Sequence, residues 1–135
     1  MNVQHGDCLA PLRLPPIDRL RLALYAGASG DHHPLHLDID VARAAGHDDV
    51  FAHGMLSMAY LGRLLTRLVP QERIRSYEVR FTAITPLHAE PVCTGTVTAV
   101  EGGTARLELA VTLADGTVTL RGTAVIDLEE GAWTG

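Results

Sequence analysis

Hydrophobic and polar positions change period about halfway along this chain. Over 53–69, Met55, Leu56, Met58, Ala59, Leu61, Leu64, Leu65 and Leu68 cover most of a helical circumference. A helix apolar on nearly every side is one buried within its domain. Arg63 and Arg67 lie toward its C-terminal end, where positive charge suits the helix dipole, and Pro70 closes it. Beyond that point the period falls to two. Tyr77, Val79, Phe81 and Ala83 alternate with Glu78, Arg80 and Thr82, and Leu107, Leu109 and Val111 alternate with Arg106, Glu108 and Thr112. Segments 74–83, 92–100, 104–113 and 117–128 therefore read as an antiparallel sheet with one buried face. Gly102-Gly103 and Asp115-Gly116 supply its tight turns.

The first half is patterned more weakly. Residues 9–14 suggest a short strand, and Pro15-Pro16 then breaks the chain. A helix is expected over 17–26, with Ile17, Leu20 and Leu24 on its apolar stripe, Asp18 in its first turn and Gly27 just past its end. Residues 28–52 show no sustained period beyond one helical turn over 40–45. A connection that long is uncommon in a compact domain unless it binds something or closes over something. The tail, 129–135, is expected to fray. The class is α+β: about five antiparallel strands curled round one long central helix, because nothing else can cover that helix. Residues 1–135 are read as a single domain. Open sheet edges invite a second chain, so a dimer is expected.

Composition narrows the function. Hydrophobic residues make up 47% and charged residues 20%, an ordinary soluble balance. The net charge of −5 argues against nucleic acid, and no stretch is long and apolar enough for a membrane span. All 11 basic residues are arginine, which excludes a Schiff-base lysine and a phosphate-loop lysine. Cys8 and Cys93 lack metal or redox spacing and read as free thiols, with the cytoplasm as the default compartment.

The chemistry concentrates in the run YAGASGDHHPLH over 25–36. Pro34 forbids continuous helix, so Asp31 and His36 can converge from irregular backbone. A carboxylate beside an imidazole can hold a water, take its proton and return it. The alternative is that Asp31 caps a turn and His36 packs as a satisfied polar residue. A metal site from Asp31, His32, His33, His36 and Asp38 lacks ligand spacing and is not expected. His53-Gly54 opens the long helix, whose first N–H groups have no internal partner. Gly54 either lets a carbonyl oxygen approach that N–H or simply permits close packing against the sheet. Ser57, one turn on, faces a ligand or bonds back to the helix.

Three runs carry a resemblance: YAGASGDHHPLH over 25–36, AHGMLSM over 52–58 and YEVRFTAITP over 77–86. In this order and spacing the chain resembles the MaoC-like dehydratases, the (R)-specific enoyl-CoA hydratases, and is similar to small (3R)-hydroxyacyl-ACP dehydratase subunits. The resemblance implies a hot-dog fold, a homodimer or heterodimer, and no cofactor. It implies reversible hydration of a trans-2-enoyl thioester of CoA or ACP to the (3R)-hydroxyacyl thioester. Asp31 and His36 match the family's catalytic pair, Gly54 its thioester-carbonyl donor, and His53 and Ser57 flank that donor. Where the family pattern has Asn, this chain has His33. A hot-dog thioesterase and a non-catalytic acyl-binding subunit are the competing readings.

Overall fold

The computed structural model describes residues 3–128. The elements run β1 (Leu12–Arg13), α1 (Arg19–Ser29), α2 (Ile39–Ala44), α3 (Gly54–Thr66), β2 (Ile74–Phe81), β3 (Val92–Glu101), β4 (Thr104–Thr112) and β5 (Val118–Asp127), with 3₁₀ turns at Pro34–His36 and Gln71–Arg73. One antiparallel sheet forms in the order β1-β3-β4-β5-β2. Its inner face presents Cys93, Val97, Leu107, Leu109, Val111, Leu120, Ala124 and Ile126. These close on Leu56, Tyr60, Leu61, Leu64 and Leu65 of α3 in one continuous core. The period-2 segments were legible because each strand buries one face only. Gly102, Gly103 and Gly116 take the positive φ that their turns demand.

Three expectations change. The first helix begins and ends later than its pattern suggests. Asp18 is its N-cap, accepting the Arg21 N–H at 2.8 Å, and Gly30 closes it in the left-handed region, so Gly27 lies inside the helix. Ile17 precedes the cap and is buried off the helical stripe; Leu22 and Ala26 make the buried face. Leu20 and Leu24 are 66% and 59% exposed as a result. Second, α3 is not covered all round. Met55, Ala59, Arg63 and Thr66 form an exposed stripe, spaced three to four residues apart. Third, the apolar side of β2 emerges from the core at its end: Tyr77 and Val79 are half-buried, while Phe81 is 51% exposed. β2 pairs with β5 alone among the described residues, leaving its other edge open. The tail expected to fray lies outside the described residues.

Candidate functional site

The segment after α1 is built from short side-chain acceptors that each hold the backbone N–H two residues on. Ser29 Oγ accepts from Asp31, Asp31 Oδ1 from His33, and His33 Nδ1 from Leu35, each at 3.2 Å. This ladder replaces the hydrogen bonds that Pro34 denies to a helix. It delivers the chain into the 3₁₀ turn, where the His36 N–H donates to His33 O at 3.0 Å. Asp31 thus does cap a turn, through one oxygen, while its second oxygen stays available.

His36 is fixed from the far side. Its Nδ1–H donates to the carbonyl of Phe51 at 2.7 Å, which leaves Nε2 as a free lone pair. His53 is anchored in the same manner. Its Nε2–H donates to Asp31 O at 3.0 Å, its ring stacks on His36 at 3.9 Å with 25° between planes, and Tyr25 meets it edge-on at 4.8 Å. His53 is only 1% exposed, and its Nδ1 has no hydrogen-bond partner among the described residues. Burial lowers its pKa, the Asp31 carbonyl opposes that shift, and the neighbouring His36 adds to it. Burial and the Asp31 carboxylate push the Tyr25 phenol up.

Side-chain oxygen and nitrogen atoms of Asp31, His36 and His53 lie within 4.8 Å of one another. A water hydrogen-bonded to two of these groups at about 2.8 Å each spans that separation. A metal ion fits the trio poorly. Imidazole lone pairs lie in the ring plane, and two nearly parallel rings 3.9 Å apart cannot both aim at an ion about 2.1 Å away.

Gly54 follows His53 as the first residue of α3, with no side chain capping that end. A Cβ built on Gly54 would stand 3.0 Å from Cδ1 and Cε1 of Phe81. Close packing against the sheet is therefore part of what this glycine does. The same glycine lines a pocket of about 360 Å³ with Phe51, Ala52, Phe81, Ile84 and Leu120. Its floor is tied down by the Ala52 N–H donating to Thr85 O at 2.9 Å. Ser57 is fully buried and shares a 3.4 Å hydrogen bond with Thr85, so it sits behind the pocket wall. Arg80, the position before Phe81, points to the opposite face of the sheet, where it lies in register with Arg121.

Sequence reasoning missed the Phe51 carbonyl and the stacking of His53. A carbonyl acceptor has no side-chain signature, so no residue pattern could have marked it. Cys93 is buried, its thiol pushed up to about 12 chiefly by burial, which makes it an inert core residue. No helix among the described residues is long and apolar enough to cross a membrane.

Known proteins resemble this chain in sequence and in fold. A UPF0336 protein of Clavibacter michiganensis subsp. michiganensis is 31% identical over 111 residues, covering 74% of each chain. The 3-hydroxyacyl-thioester dehydratase Z of Mycobacterium tuberculosis is 28% identical over 115 residues, covering 81% of this chain and 70% of its own. The solved structure of the R-hydratase PhaJ1 from Pseudomonas aeruginosa superposes with a TM-score of 0.84 at 26% identity, covering 95% of this chain and 84% of that one. The sheet-round-helix arrangement is a hot-dog fold, and with residues 11–117 matching the MaoC-like domain, this chain belongs to the MaoC-like hydratase and dehydratase family.

Proposed function

We propose that the chain is a hydro-lyase that interconverts trans-2-enoyl thioesters and (3R)-3-hydroxyacyl thioesters. One observation carries the reading: a ring nitrogen of His36 and a carboxylate oxygen of Asp31 lie within 4.8 Å, and the tie of Nδ1 to the Phe51 carbonyl leaves Nε2 as the basic lone pair. The pair lies next to the uncapped start of α3 at Gly54. In the hydration direction the thioester oxygen rests on the Gly54 N–H, where helix-terminal N–H groups favour developing negative charge. The water oxygen bonds C3 while one of its protons passes to Nε2, and electrons shift from the double bond toward the thioester oxygen. The pair then returns a proton to C2 on the same face, so one water is consumed. His53 holds the loop carbonyl of Asp31 rather than the substrate, and Ser57 supports Thr85 in the pocket wall. The acyl chain enters between Phe81, Ile84 and Leu120.

The working unit in this reading is a dimer. The open edge of β2, with Met55, Phe81 and Ile84 each more than half exposed beside the pocket, leaves an apolar rim that a second copy would cover. The deciding experiment follows crotonyl-CoA hydration by loss of the enoyl absorbance, with thiol release measured in parallel. Hydration without thiol release is expected. Thiol release without hydration would make the chain a thioesterase instead.

A further inference from the structure

The three rungs that shape the turn differ in chemistry. Ser29 offers a hydroxyl and Asp31 a carboxyl oxygen. His33 is an imidazole, the side chain whose charge changes between about pH 5 and 8. It accepts the Leu35 N–H through Nδ1, so the bond exists only while that nitrogen is unprotonated. Its Nδ1 stands on Cγ, as the Oδ1 of an asparagine would, so an imidazole can cap this turn as an amide does. The difference is that the imidazole can lose the bond.

We propose that His33 is a positioning residue whose neutral ring locks the turn carrying Asp31 and His36, and that protonating it releases the lock. This rests on the hydratase reading above. His33 is bound on both sides of the pair. Its N–H is held by Asp31 Oδ1 at 3.2 Å, and its carbonyl receives the His36 N–H at 3.0 Å. Its ring meets that of His36 edge-on at 6.1 Å. Once Nδ1 carries a proton it becomes a donor, the Leu35 N–H is orphaned, and the 3₁₀ turn that aims His36 loses its cap. Among the described residues, the ring faces that of His36, which stacks on the buried His53 of α3, while the Asp31 carboxylate holds the His33 backbone and His32 is its neighbour in the chain. His33 itself is exposed, and its ring nitrogen is spent on the backbone of the turn, which distinguishes it from the pair it positions.

The test compares wild type, His33→Asn and His33→Ala in the full chain. Amide exchange of Leu35 and His36 is read by NMR across pH 5 to 8, together with the pH profile of crotonyl-CoA hydration. In wild type the Leu35 amide shift and exchange should follow titration of the His33 ring. In His33→Asn both should stay protected throughout. In His33→Ala exchange should be about fivefold faster than in His33→Asn at every pH, the size of a lost cap, and should match wild type only where the His33 ring is protonated. For turnover, His33→Ala should lower kcat several-fold with KM little changed. His33→Asn should restore the neutral-pH rate and shed an acid-side loss that wild type shows. A Leu35 amide indifferent to His33 titration, or as protected in His33→Ala as in wild type at pH 8, overturns the lock. The amide readout needs no turnover, so a wild type that fails to hydrate the thioester sinks the function while leaving the lock to be decided by NMR.

Discussion

The helix–sheet core and the 29–36 turn hold their shape by opposite means. In the core, Leu61, Leu64 and Leu65 of α3 are fully buried against Val97, Leu107, Val111 and Ile126, and the shape follows from removing apolar surface from water. In the turn, Ser29, Asp31 and His33 are all exposed, and the shape follows from three successive 3.2 Å side-chain-to-backbone hydrogen bonds. Burial is non-directional and tolerates repacking. A hydrogen-bond ladder fixes direction but contributes little to global stability. Stability and aim are thus stored in different places, and substitutions should separate them.

The largest expected effect is at the pair. Asp31→Asn and His36→Ala should each lower kcat for enoyl hydration by roughly 10²–10⁴-fold, the range of general acid–base catalysis, while the urea midpoint stays close to wild type. Intact turnover in either variant would remove the mechanism. Next comes the core, with the reverse pattern. Leu61→Ala should cost about 3 kcal/mol of unfolding free energy, with activity per folded molecule retained. A loss of activity without loss of stability there would mean that the core also sets the aim.

Gly54→Ala lies between the two regions. The added Cβ meets the Phe81 ring at 3.0 Å, but that ring is half exposed and can swing aside. Stability should fall by less than about 1 kcal/mol. Substrate turnover should fall by about tenfold, because the methyl crowds the N–H that holds the thioester oxygen. Asp18→Ala removes only the α1 cap and should cost about 1 kcal/mol in thermal or urea unfolding, with no change in kcat.

The smallest effect is a slope. Burial lowers the His53 pKa in the folded chain, so below about pH 6.5 the unfolded chain binds a proton that the folded one refuses. Stability should therefore fall as pH drops through the window between the unfolded and the lowered folded value. It should be independent of this group above that window. Urea midpoints of His53→Gln against wild type, from pH 7 to pH 5, check the sign.

The strands were legible because period-2 alternation directly encodes a sheet with one wet face, and β2 to β5 fall within a few residues of their expected bounds. The first helix was less so. Ile17, Leu20 and Leu24 have helical spacing, yet Asp18 caps the helix after Ile17 and rotates the buried face to Leu22 and Ala26. Spacing alone cannot say on which residue a helix starts. The candidate site divides along the same line. Asp31, His36 and Gly54 stood out by residue type and by the proline between the first two. The tie of His36 to the Phe51 carbonyl and that of His53 to the Asp31 carbonyl did not, since any residue could have supplied those oxygens.

By itself, then, the sequence determined where the period changes from helical to alternating, and which titratable groups lie together in the turn that Pro34 breaks. Those are local properties, set by side-chain size, polarity and backbone restriction within a few residues. Only the tertiary structure decided that His36 ties down Nδ1, that His53 stacks on it as a buried brace, and that His33 caps the turn. Each depends on which backbone carbonyl or N–H the folded chain brings to a ring nitrogen, and a hydrogen bond is satisfied by position, not by the identity of the residue that offers it.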